Sequence, residues 1–89
     1  MYQYQKERPH IFTEEGQRLF LRIRDRTNAL LNSAGAARMD YALSNETEDS
    51  WELMACVDRL VELGELHELT GDVPGQNRVF IRGPRAFKN

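Results

Sequence analysis

A single cysteine, Cys56, stands in this chain of 89 residues, alongside two histidines and three prolines. One cysteine excludes an internal disulfide and a cysteine-cluster zinc site. Small secreted domains commonly depend on disulfides, so this usage fits a reducing compartment. His10 and His67 fall in separate stretches and form no paired metal-ligand or catalytic motif. Gly71 and Gly75 belong to a turn rather than to a phosphate-cradling loop, and no Ser, Cys or Asp falls in a nucleophile setting. No apolar run approaches the roughly 18 residues of a membrane span. The opening MYQYQKERPH is polar where a secretory leader needs an apolar stretch. These absences lead to the expectation of a non-enzyme without cofactor or metal, in the cytoplasm, with no membrane partner.

What is there is the composition of a soluble globular domain, 40% hydrophobic and 29% charged. A chain of this length buries about 60 to 65% of the surface it exposes when unfolded, which allows one core. The net charge of -2 conceals a strong asymmetry. Residues 1–44 carry +2, residues 45–72 carry -8 with Arg59 as their only base, and residues 73–89 carry +4 with no acid.

Apolar periodicity organises the chain around Asp49 to Gly64. Ser50, Leu53, Met54, Val57, Leu60 and Val61 recur at helical spacing and define a buried face. Asp49 caps the amino end, with Glu52 three residues on completing a capping box, and Gly64 ends the helix. Cys56 falls at the flank of the apolar stripe and reads as a half-buried structural thiol. Upstream, Thr13 caps a first helix that follows Leu19, Phe20, Ile23, Leu30 and Leu31 to about Ser33. Gly35 breaks it, and Ala36 to Leu43 reads as a two-turn second helix with Met39, Ala42 and Leu43 inward. Ser44 to Glu48 is the turn before helix three.

Downstream of Gly64, Leu66 to Leu69 reads as a short strand, Pro74-Gly75 as a type II turn and Arg78 to Arg82 as a second strand. Residues 1–12 read as an amino-terminal arm whose aromatics fold back over the domain edge or pack on a second copy. The body then spans residues 13–83, and residues 84–89 form a basic tail.

The succession MACVDRLVELGELHEL, a Pro-Gly turn and NRVFIR resembles the third helix and wing of winged helix-turn-helix proteins, most of all the MarR-like regulators of bacteria and archaea. The resemblance covers about residues 13–83. It implies an α+β, mostly helical fold of three helices with a two-stranded β-hairpin wing. It also implies double-stranded DNA as partner, usually through a homodimer, with helix three in the major groove and the wing beside the backbone. A bacterial or phage regulator of transcription is the corresponding expectation.

On that reading the nucleic-acid contacts fall to Arg59 on helix three, Arg78 and Arg82 on the wing, and Arg85 and Lys88 on the tail. The local charge opposes it. The outward residues of helix three, Trp51, Glu52, Ala55, Arg59 and Glu62, carry net -1 beside an acidic turn, and a phosphate backbone repels such a surface. The alternative is a winged-helix module that binds protein. It would use Trp51, Leu21 and Leu63 at outward positions, with Arg18 and Arg22 beside Leu21. Arg18 and Arg22 equally read as a solvated face with Asp25 pairing Arg22, and Trp51 equally reads as packed against the second helix.

Overall fold

Strand Val79–Arg82 is central to the sheet, pairing on one side with the strand just before it in the chain, Leu66–Glu68, and on the other with Ala37–Arg38, about forty residues upstream. In a computed structural model, which describes residues 1–44, 46, 49–69 and 77–84, the order is α1 (Tyr4–Glu7), a 3-10 turn (Arg8–Phe12), α2 (Glu14–Ala34), β1 (Ala37–Arg38), α3 (Met39–Ala42), α4 (Ser50–Glu62), β2 (Leu66–Glu68) and β3 (Val79–Arg82). The three strands form one antiparallel sheet in the order β1-β3-β2. Phe80 in β3 faces Ala37 on one side and Glu68 on the other. The fold is therefore α+β and mostly helical.

Helix α2 begins as the capping pattern dictates. The Thr13 hydroxyl accepts from the Gly16 N–H at 3.0 Å, and Gly35 closes the far end at φ 77. Leu19, Phe20, Ile23 and Leu31 turn inward from it. Thr27, also buried, donates its hydroxyl to the Ile23 carbonyl at 2.7 Å and so carries no unsatisfied polar atom into the core. Helix α4 starts at the cap of Asp49, which accepts from the Trp51 N–H at 2.8 Å, and the chain leaves it through Gly64 at φ 80. The Glu52 carboxylate, expected to complete a capping box, stands 3.8 Å from His10.

The core gathers Leu53, Ala55, Cys56, Val57 and Leu60 of α4 with the inward face of α2, Ile11, Met39, Leu66 and Phe80. Each large side chain fully buried there contributes about 1.5 to 3 kcal/mol. Some positions differ from the sequence reading. Ser50 is exposed, Met54 and Val61 are half-buried, and Leu63 packs on the core rather than facing out. Cys56, expected at a flank, is 1% exposed, and Ala55, expected outward, is fully covered.

The expected two-stranded wing is instead part of a three-stranded sheet. Ala37 and Arg38, read as helical, pair with β3, and the Met39 N–H donates to the Arg78 carbonyl at 2.8 Å. Ala-Ala-Arg-Met has helical propensity, but the open edge of β3 offers backbone partners that outweigh it. The expected Pro74-Gly75 turn, much of the turn before helix three, and Arg85 and Lys88 lie outside the described residues.

The amino-terminal segment also differs from a simple arm. Pro9 occupies the first turn of the 3-10 segment, where its missing N–H leaves no bond unmade. Ile11 drops into the core at 2% exposure. Gly16 allows this close crossing, because a Cβ there would stand 1.9 Å from the His10 carbonyl oxygen. The Gln17 amide donates to the Ile11 carbonyl at 2.7 Å and fixes the turn against α2.

Candidate interaction surface

Alternation along β3 puts Arg78, Phe80 and Arg82 on one side of the strand. Phe80 is in the core, and Arg78 beside it is turned toward the helices, whereas Arg82 at the end of the strand stays exposed. The Arg78 guanidinium stands 5.2 Å from the Phe80 ring centroid. It donates to Asp58 of α4 at 2.6 Å and to Glu68 of β2 at 2.8 Å, with its side chain 15% exposed. These two carboxylates raise its pKa further above the ordinary arginine range, Glu68 contributing most. Arg82 is exposed and bonds Asn32 near the end of α2.

Trp51, Asp58 and Glu62 of α4 lie at helical spacing along one stripe, with Ala55 fully covered between Trp51 and Asp58. Trp51 is 40% exposed at the amino end of this stripe. It is not buried against α3, the alternative considered from sequence. Farther along, residues 2–12 cover the face. The Tyr2 hydroxyl donates to Asp58 at 2.5 Å, the Tyr4 hydroxyl donates to Glu62 at 2.7 Å, and Arg8 Nε donates to Glu62 at 3.0 Å.

Arg59, the one helix-three side chain suited to a base edge, is 22% exposed and donates to Glu62 at 2.7 Å. Its guanidinium also lies 5.0 Å from the Phe12 ring centroid. Glu62 thus accepts from a tyrosine and two arginines, and the Tyr4 bond leads in holding its carboxyl down at about 2. Burial first, and then the bond to Glu62, push Tyr4 up to about 12. Burial and the bond to Asp58 raise Tyr2 as well.

Comparison with known proteins finds no matching family, no matching curated protein and no matching solved structure. The surface must be read from its own residues.

Of the residues expected to contact protein, Arg18 and Arg22 line a cleft of about 510 Å³ between the start of α2, the 3-10 turn and α4, together with His10, Glu52 and, at its apolar floor, Cys56. Arg18 pairs with Glu14 at 3.1 Å within α2. Arg22 reaches Glu46 at 3.0 Å across the turn before α4 rather than only its own helix. Leu21 is half exposed on the opposite side of α2 from the core. The cleft therefore joins Arg18 and Arg22 to Glu52, the residue next to Trp51, and leaves Leu21 apart.

Of the two arrangements expected for the amino-terminal aromatics, the fold-back over the domain is the one present, with α4 as the surface that Tyr2, Tyr4, Arg8 and Phe12 reach. The signal for them was the i, i+4, i+7, i+11 stripe that starts at Trp51 and runs through two acids, together with a glycine in the first turn of an otherwise capped helix. Among the described residues no group of three His, Cys, Asp or Glu side chains is placed to hold a metal ion. No helix there is long and apolar enough to cross a membrane.

Proposed function

We propose that this chain is a protein-interaction module without catalytic activity, built on a winged-helix scaffold. The scaffold reading is supported by the succession of α2, the α3–α4 pair and the β2–β3 strands, which follows the family pattern, with β1 added at the free edge of β3. The observation that carries the functional reading is the state of the helix-three face. Its base-reading candidate Arg59 is paired, its outer stripe beyond Trp51 is covered by the chain's own amino terminus, and the wing cation Arg78 is held by two carboxylates. Trp51 remains open as an aromatic anchor of the kind that dominates protein interfaces.

Titration of a labelled random duplex at low salt tests this reading first. The expected outcome is no saturable binding up to about 100 μM protein, whereas a non-specific DNA binder gives a tighter constant than that. The companion test uses Trp51→Ala, which should release a captured and purified partner while leaving helicity unchanged; unaltered capture counts against the module.

DNA binding is the second reading, favoured by exposed Arg82 and by the absence of any acid from residue 73 onward. Salt-dependent duplex binding that Arg82→Ala weakens would establish it in place of the first.

A further inference from the structure

The outward stripe of α4 is shared between an open aromatic and a segment of the chain's own amino terminus. Trp51 is exposed at one end, while Asp58 and Glu62 receive Tyr2, Tyr4 and Arg8 at the other. Two features mark residues 2–8 as separable from the turn that follows them. First, residues 2–8 bury no side chain fully, Tyr2 and Tyr4 being half-buried at the edge of the core, whereas the 3-10 turn buries Ile11 and is fixed through Gly16 and Gln17. Second, each acid under the segment has another cation. Arg78 Nη2 reaches Asp58 at 2.6 Å, and Arg59 Nη1 reaches Glu62 at 2.7 Å. Lifting the tyrosines leaves neither carboxylate uncompensated, so the charge penalty that normally locks such a contact is absent.

We propose that residues 2–8 are an autoinhibitory strap, and that the partner of this face is a segment of the same chemistry, in which tyrosine hydroxyls and a guanidinium meet Asp58 and Glu62. Such a segment displaces the strap and extends onto Trp51. The proposal rests on the interaction-module reading for its use, but the opening of the strap is measured on the chain alone. When a competent state is populated by only a fraction of molecules, apparent affinity falls by that fraction, so weakening the strap strengthens binding in trans.

The experiment uses the full chain and the variant Tyr2→Ala/Tyr4→Ala/Arg8→Ala, with a fluorescently labelled peptide of residues 1–8 as the ligand. Trypsin cleavage after Lys6 reads the opening. In the variant, cleavage after Lys6 should be about tenfold faster and the peptide should bind about tenfold more tightly than to the unaltered chain. Added Glu62→Gln should then weaken the peptide again. A variant cut throughout its length has unfolded; Tyr2→Phe/Tyr4→Phe, which keeps both rings, then takes its place with smaller changes in the same direction. Equal cleavage after Lys6 in both chains overturns the strap. Faster cleavage without tighter peptide binding overturns the assignment of the partner chemistry. Neither failure touches the Trp51→Ala capture test, which judges the module reading separately.

Discussion

At the level of single residues, Arg78 shows how neighbours decide the role of a charge. Placed two residues from Phe80 on the same side of β3, it is carried inward and closes a three-element junction with Asp58 and Glu68. Hydrogen bonds to charged groups are worth about 1.5 to 3 kcal/mol where solvent is largely excluded. Arg78→Ala should therefore lower stability by about 1 to 3 kcal/mol in urea unfolding. Lysine should recover only part, because an ammonium cannot span two carboxylates as a planar fork does.

Glu62 and Tyr4 give a second residue-level expectation. Glu62 titrates at about 2 rather than near 4.5, so its contribution is complete above the ordinary value and is lost as pH falls toward 2. Tyr4 titrates at about 12 rather than near 10, so its neutral, donating form contributes below 10 and is lost as pH rises toward 12. The stability difference between the unaltered chain and Tyr4→Phe should be flat between about pH 5 and 9 and shrink on both sides. A difference that changes across neutral pH in urea unfolding would contradict the contact.

Among the elements, α2 and the 3-10 turn meet at Gly16, and that glycine predicts its own replacement. Alanine in an exposed helix gains up to about 1 kcal/mol over glycine. Here its Cβ would stand 1.9 Å from the His10 carbonyl oxygen, and a backbone atom fixed by Ile11 and Gln17 cannot retreat cheaply. Overpacking costs typically about 1 to 3 kcal/mol, so Gly16→Ala should be destabilising on balance, with hydrogen exchange faster in residues 8–12 than in α4.

The same pair of elements shows what was legible beforehand. Thr13, Gly35, Asp49 and Gly64 act locally through caps and positive φ, so the limits of α2 and α4 could be read from the chain. The burial of Ala55 and Cys56 could not be read in this way, because α4 packs against the 3-10 turn as well as α2, and only the tertiary fold brings that turn to the helix. Strand β1 was hidden for a related reason: two residues carry no alternation, and only the edge of β3 makes them a strand. For the candidate surface, Trp51 and Glu62 were legible as outward residues and the fold-back of the amino-terminal aromatics was one of two alternatives, but Asp58 and the pairing of Tyr2 and Tyr4 with these acids are tertiary facts.

Over the whole molecule, the described acids in the middle of the chain are met by arginines from the segments before and after it. Arg22 and Arg26 reach Glu46, Arg24 reaches Glu65 at 2.8 Å, Arg8 reaches Glu62, and Arg78 bridges Asp58 and Glu68. Among the described residues, five acids of the -8 block, Glu46, Asp58, Glu62, Glu65 and Glu68, are thus met by arginines of the same chain. This arrangement makes stability depend on ionic strength in a definite direction. Raising salt from about 0.1 to 1 M shortens the screening length from about 10 Å to about 3 Å. Each partly exposed pair is worth about 0 to 1 kcal/mol, so the cross-element set together should lose about 1 to 3 kcal/mol. Urea, being uncharged, allows the comparison in sodium chloride without adding ions of its own. The unfolding midpoint should fall as chloride rises, and the slope should stay constant because the exposed area does not change. The loss should be smallest in the chain with Tyr2→Ala/Tyr4→Ala/Arg8→Ala, whose Arg8–Glu62 pair is already gone. A midpoint indifferent to chloride would show that these pairs are only geometric neighbours, and the acidic middle would then have to be treated as a surface again.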